Sequence, residues 1–371
     1  MPGVRGCEGA SEGARGAIVR VVLGATVLAF TLLACSADAN DPLPPDVPPA
    51  SSASDDPDPV APSNPQSDPR TVAPSDAPSA PSAPSHPRTA VAPQPDAAFD
   101  SGRAWEDLRQ QVSFGPRPAG SSALARCRRY ILDQLAAAGI EAREQAFDAK
   151  TPLGPIRMVN VIATIPGRRA ERIALGTHYD TKLERRFRFV GASDGASSTA
   201  AVLELGRVLQ ARQQHDYTIE LIFFDGEEAV VEWIGDDNTY GSRHYVEAAR
   251  QDGTLDGLEA LVLLDMIGDR DLNIRRETTS TAWLTDLIWA SARTLGYQRH
   301  FLDESFTIGG DDHFPFLAAG IPAVDVIDFD YPAWHTAQDD LDRVSARSLQ
   351  VVGEVVLEAL PEIERRLATG R

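Results

Sequence analysis

The chain specifies an α/β domain with a mixed, mostly parallel central sheet flanked by helices, preceded by a disordered tether. Three observations lead there. From residue 98 to 371, short apolar runs alternate with longer amphipathic ones, the pattern of buried strands covered by helices on both faces. The residues able to do chemistry fall just beyond those apolar runs, where sheets of this kind gather their ligands. The first hundred residues hold too little apolar surface for a core, so 98–371 is one domain of ordinary size.

Taken in order, the small, polar and mildly basic residues 1–20 lead into an apolar run over 21–34 that ends at Cys35. That run is too short to span a bilayer comfortably and suits the apolar region of a signal peptide. Leu32-Leu33-Ala34-Cys35 resembles the bacterial lipobox. The resemblance implies cleavage before Cys35, a lipid on that residue, and an exported lipoprotein anchored to a membrane, facing the periplasm or the cell surface. Residues 36–97 carry 17 of the 27 prolines among Ser, Ala and Asp, and read as an extended linker.

In the domain itself, Ser121 to Ala138 is amphipathic and is stopped by Gly139, which predicts a helix. Met158–Ile165 and Arg172–Gly176 are strand-like. Ser197–Arg212 is helical, and Thr218–Phe224 is a continuous apolar strand. Tyr240–Arg250 follows as a helix, Leu258–Leu264 as a strand and Thr281–Leu295 as a helix. Ala323–Ile327 is the last strand, and Ser345–Leu367 is a long closing helix.

The net charge of −19, with no basic stripe to balance it, argues against nucleic acid as a partner. Arg185-Arg186-Phe187-Arg188 is a local cluster that reads as a solvated loop. Cys127 is the only cysteine in 98–371, so the domain relies on its core without a disulfide. A monomer is expected.

Glu227-Glu228 carries the most information. The two adjacent carboxylates stand at the mouth of a buried strand, which is costly unless a cation or a proton transfer uses them. Four segments hold the residue types of a metal site: Gly176-Thr177-His178-Tyr179-Asp180, Gly191-Ala192-Ser193-Asp194-Gly195, Asp225-Gly226-Glu227-Glu228 and Trp334-His335-Thr336. A catalytic zinc needs about three His, Asp or Glu ligands and an open position. Asp194, Glu228 and His335 supply that number. Taken alone, Asp194 also reads as a helix cap and His335 as a polar loop residue.

With these segments in order, residues 100–371 resemble the metal-dependent glutaminyl cyclases, which share their fold with the zinc aminopeptidases. The landmarks are Gly115-Pro116-Arg117, His178-Tyr179-Asp180-Thr181-Lys182, Phe189 to Asp194, Phe223 to Ala229, Tyr240 to His244, Leu263 to Gly268, Asp311 to Leu317 and Trp334-His335-Thr336. The resemblance implies one zinc held by Asp194, Glu228 and His335, with Glu227 as general acid/base and Asp265 and Asp311 steering its proton. It implies that Trp233 and Trp334 wall a pocket for the N-terminal glutamine of a peptide or protein. His178 and Asp180 then stand behind the site; in the aminopeptidases a histidine there and an aspartate at the position of Asp265 bind a second zinc, and those residue types leave two metals open. His313 reads as structural, in the turn before Pro315. The acidic run from Ile327 to Pro332, beside the pocket, is expected to alter second-residue preference.

Joining an α-amine to its own γ-carbonyl needs the side chain folded back near attack geometry, the oxyanion stabilised, and one carboxylate to move the proton. A two-zinc aminopeptidase is the alternative reading. A non-catalytic anchored binding protein would be expected to have lost a ligand or Glu227, and all are present.

Overall fold

The computed structural model describes residues 93–370. The leader with its Cys35 and almost all of the Pro-rich tether lie outside the described residues. On the tether side of the expected boundary at 98, the Gln94 amide donates to the Ala211 carbonyl at 2.8 Å, and Ala97 packs on the core.

Six strands form the main sheet: β1 (Glu141–Thr151), β2 (Gly154–Ile165), β3 (Arg172–His178), β4 (Thr218–Phe224), β5 (Leu258–Asp265) and β8 (Ala323–Ile327). Their spatial order is β1-β2-β4-β3-β5-β8. β4, β3, β5 and β8 run parallel, while the β1–β2 hairpin joins β4 antiparallel. A separate parallel pair is made by β6 (Ile274–Glu277) and β7 (Phe301–Phe306). The helices are α1 (Ser101–Ser113), α2 (Ser122–Ala137), α3 (Ala196–Arg212), α4 (Tyr240–Gln251), α5 (Ala282–Thr294), α6 (His313–Ala318) and α7 (Ala346–Ala368). Among the described residues no helix is long and apolar enough to cross a membrane.

Strand alternation divides the core in two. Ile219, Leu221 and Phe223 of β4 face a larger cluster with α1, α2, α3, α5 and α7. Ile222 and Phe224 face a smaller one with Tyr245 and Val246 of α4 and Phe316 of α6. Central α3 is buried almost all round, as a helix covered by its neighbours must be. The expected mostly parallel sheet, covered on both faces, is therefore present.

Several elements carry no clear apolar period in the sequence. α1 buries Asp107 and Gln111 beside Ala104, Leu108 and Val112, so its inward face is partly polar. β1 is a polar strand at the sheet edge. α6 spans only six residues, and His313 is its first residue, where a turn was expected. The strand expected to end at Gly176 continues to His178.

Candidate active site

The parallel strands deliver their carboxyl ends to one rim. β3 ends on His178 and β5 on Asp265; Glu227 and Glu228 follow β4, and His335 lies in the loop after β8. Asp194 closes the loop leading into α3. Gly195 is the N-cap of that helix and no side chain caps it, so Asp194 is free for another role. The loop turns tightly at two glycines. A Cβ on Gly191 (φ 54°) would lie 2.3 Å from the Asp194 carbonyl oxygen, and one on Gly195 (φ 89°) 2.6 Å from that of Asp180. His335 (φ 51°) and Met266 (φ 49°), next to Asp265, also take left-handed backbone, the kind of local strain that collects at functional sites.

Asp194, Glu228 and His335 converge. His335 Nε2 lies 3.1 Å from Glu228 Oε1 and 3.3 Å from Asp194 Oδ2. A second group shares Asp194: His178 Nε2 is 3.0 Å from Asp265 Oδ1 and 3.3 Å from Asp194 Oδ1. Asp180 sits beneath Glu227 and Glu228, its two oxygens accepting from their amides at 3.2 and 3.3 Å. It also lies 3.5 Å from His178 Nδ1. All ten residues expected at the site are thus gathered at one rim, seven of them buried.

Other residues hold this arrangement, and their task in it carried no signal in the sequence. Asp339 accepts from the Ser193 and Asp194 amides at 2.7 and 3.1 Å and from the Tyr331 hydroxyl at 2.8 Å. Arg117, wholly buried, donates to the Val190 carbonyl at 2.8 Å and the Gly191 carbonyl at 3.2 Å, tying down the start of the Asp194 loop. Gly115-Pro116-Arg117 marks this arginine in the sequence, though not its task.

A cavity of about 300 Å³ opens over the cluster, lined by Trp233, Trp334, Phe329, Ile308, Glu227 and Asp311 among others. Trp334 stacks on His335 with ring centres 4.3 Å apart and lies 4.8 Å from Phe329. Trp233 fits against Gly310, where a Cβ would stand 3.2 Å from the indole nitrogen. The neighbouring run Ile327–Pro332 is less acidic toward the pocket than expected. Asp328 is buried, accepting from the Asn273 and Asp330 amides, and Asp330 alone of its acids is exposed. Arg186 pairs with Glu184 in an exposed loop, as the sequence implied.

Burial, reinforced by Glu228, Asp311 and Asp312 against the pull of His178, pushes Glu227 well above the carboxylate range. Asp311 is pushed up to about 6 by burial and the charge of Asp265. Burial opposes charge on His335, but Glu228 and Asp194 outweigh it and raise it to about 10. A cation bound there would have to displace these protons, so its binding releases them.

The residues fit a zinc ion. One ligand atom each from Asp194, Glu228 and His335 lies within 4.8 Å of the others. Glu228 Oε2 is buried without a hydrogen bond, and Asp194 Oδ2 is buried with only the His335 imidazole near it, at 3.3 Å, a costly state that a shared cation relieves. Two carboxylates, an imidazole and an adjoining cavity match a catalytic zinc with an open position.

Residues 160–360 match peptidase family M28. The chain is 34% identical to a glutaminyl-peptide cyclotransferase-like protein of Mus musculus over 65% of this chain and 70% of that protein. Among solved structures, it is similar to an Acidobacteriales bacterium glutaminyl cyclase (38% identity, TM-score 0.69, covering 77% of this chain and 100% of that one). It is also similar to a Zn-dependent exopeptidase from Parabacteroides distasonis (25% identity, TM-score 0.65, covering 71% and 98%). The M28 match spans the strands that build the rim, and the mouse and Acidobacteriales proteins bear the cyclase name, so the chain belongs to the glutaminyl cyclase family, on the aminopeptidase-like fold of peptidase family M28.

Proposed function

We propose that this protein is a zinc-dependent glutaminyl-peptide cyclotransferase. It converts the N-terminal glutamine of peptides and proteins to pyroglutamate and releases ammonia, acting as an exported lipoprotein held to its membrane through Cys35. One observation carries the catalytic part: a small aromatic pocket shares its floor with Glu227 and the Asp194–Glu228–His335 cluster. At about 300 Å³ it suits one bent side chain rather than an extended peptide.

Asp194, Glu228 and His335 would hold the zinc. Zinc there supplies Lewis-acid polarisation of the γ-amide carbonyl. Trp233, Trp334 and Phe329 fold the side chain back toward its own α-amine and keep water out. Glu227, raised by burial, takes the proton from the attacking amine and returns it to the departing nitrogen. Asp180 fixes the Glu227 amide, and so the direction of that carboxylate.

The aminopeptidase reading draws on the second group, His178, Asp194 and Asp265. It predicts two metals per chain and release of the first residue. The deciding experiment incubates the protein with a glutamine-initiated peptide and follows mass. Loss of one ammonia with the peptide otherwise intact is expected; shortening by one residue without ring closure would overturn the proposal. Glu227→Gln should lower kcat at least ~100-fold while retaining zinc. Full activity in that variant would remove Glu227 from the proton path.

A further inference from the structure

Asp325 is the middle residue of β8, a strand with every side chain buried. Val324 and Val326 point into the larger core, which turns Asp325 to the opposite face, toward the start of α6. Its amide donates to Ser280 Oγ at 3.0 Å. Its carboxyl is fully buried, and neither oxygen receives a hydrogen bond from an N–H, hydroxyl or imidazole donor. The mechanism above does not use it.

The titratable groups around it are Asp311 and His313 at the start of α6, Asp265 from β5 and Glu277 from β6. Three of the four are acids. His313 is shared, because its Nε2 lies 2.9 Å from Thr279 Oγ1 and 3.5 Å from Glu277, leaving Nδ1 3.8 Å from Asp325. An ionised Asp325 would be a buried anion with no donor beside other anions, the costliest state open to it. A neutral carboxylic acid needs only one acceptor for its proton. One lies close by. Ligand atoms of Asp311, His313 and Asp325 fall within 4.8 Å of one another, and Asp311 Oδ2 is itself buried without a donor.

Resting on the cyclase reading, we propose that Asp325 is a positioning residue. It stands as the neutral acid and donates its proton in a hydrogen bond to Oδ2 of Asp311, holding that pocket-lining carboxylate toward Glu227. The Asp312 amide anchors the other oxygen, Oδ1, at 2.5 Å, so Asp311 is fixed at both ends. No proton is gained or lost in turnover; the same one stays on the pair. Burial, then the charges of Asp311 and Asp265, raise Asp325 well above the carboxylate range, in keeping with this state.

The test compares the full chain with Asp325→Asn, which keeps a donor, and Asp325→Leu, which removes it. Infrared difference spectra at neutral pH should show the carbonyl stretch of a buried neutral acid in the unsubstituted protein and its loss in Asp325→Asn. The Asn variant should keep kcat within about threefold. The Leu variant should lose at least about tenfold in kcat, with KM and zinc content little changed. Absence of the infrared band overturns the proposal, as does equal impairment of the two variants. So does a metal equivalent, beyond the one at Asp194, Glu228 and His335, that the Asn variant loses, because a cation would then hold the cluster. Spectrum and metal content need no turnover. A protein that fails to cyclise glutamine would therefore sink the cyclase reading alone, leaving the proton on Asp325 to be judged by its band.

Discussion

Asp339 shows how a site depends on residues that never touch a ligand. One carboxylate holds the amides of Ser193 and Asp194, and so sets where the Asp194 side chain points. Asp339→Ala should weaken zinc binding about 10–100-fold with the fold intact, read by titration against a competing chelator. Unchanged affinity would mean that the glycine-bounded loop keeps its shape unaided. Asp194, Glu228, His335 and Glu227 were legible in the sequence because their chemistry is in their side-chain types and neighbours. Asp339 was not, since its partners are backbone amides some 145 positions away. Asp325 was hidden for the opposite reason: an acid inside an apolar strand shows its surroundings only when the strand is packed.

At the scale of elements, α7 closes the domain over the segment that precedes α1. A Cβ on Gly353 would meet the buried Phe99 ring at 2.2 Å, so the helix approaches there only because it has no side chain. Alanine would gain about 1 kcal/mol of helix propensity. Overpacking against a ring that cannot leave the core costs as much as about 3 kcal/mol. Gly353→Ala should therefore lose roughly 2 kcal/mol in denaturant unfolding, with kcat per folded molecule unchanged; a stabilised variant would show that Phe99 yields easily. The elements legible in the sequence included β4 and β5, continuous apolar runs buried on both faces, and α7, whose apolar period matches burial of one face. α1 and β1 escaped because a partly polar inner face and an edge position leave no such period.

For the whole molecule, buried acids tie stability to pH. Asp225 is pushed up to about 8 by burial and the charge of Asp180, and Asp339 up to about 7 by burial and Asp194. Each stays protonated in the folded chain at pH values where the unfolded chain has already ionised it, above roughly pH 4. Their contribution is complete below that point and is lost as pH climbs through 7 and 8. Glu277, held down to about 2 by His313 and Thr279 against burial, sets the acid side; its contribution fades as pH falls from about 4.5 toward 2. The proposed zinc would act oppositely to the raised acids, because its binding would displace protons from His335 and the carboxylates. The metal-free protein should melt at a lower temperature at pH 8 than at pH 5.5, and the gain from zinc should widen over that range. Melts with and without chelator decide it. A metal-free Tm that rises with pH would contradict the assignment of these acids.

The amino-acid sequence alone determined the alternation that makes the α/β sheet and the residue types of the candidate metal cluster. Those follow from local periodicity and from side-chain chemistry, which each segment carries by itself. Tertiary packing alone decided which oxygens lack donors, that Asp194 stands between two clusters, and that Asp328 turns inward away from the pocket. Desolvation and hydrogen-bond satisfaction depend on what distant segments bring to the same few ångströms, and no local stretch of sequence contains that.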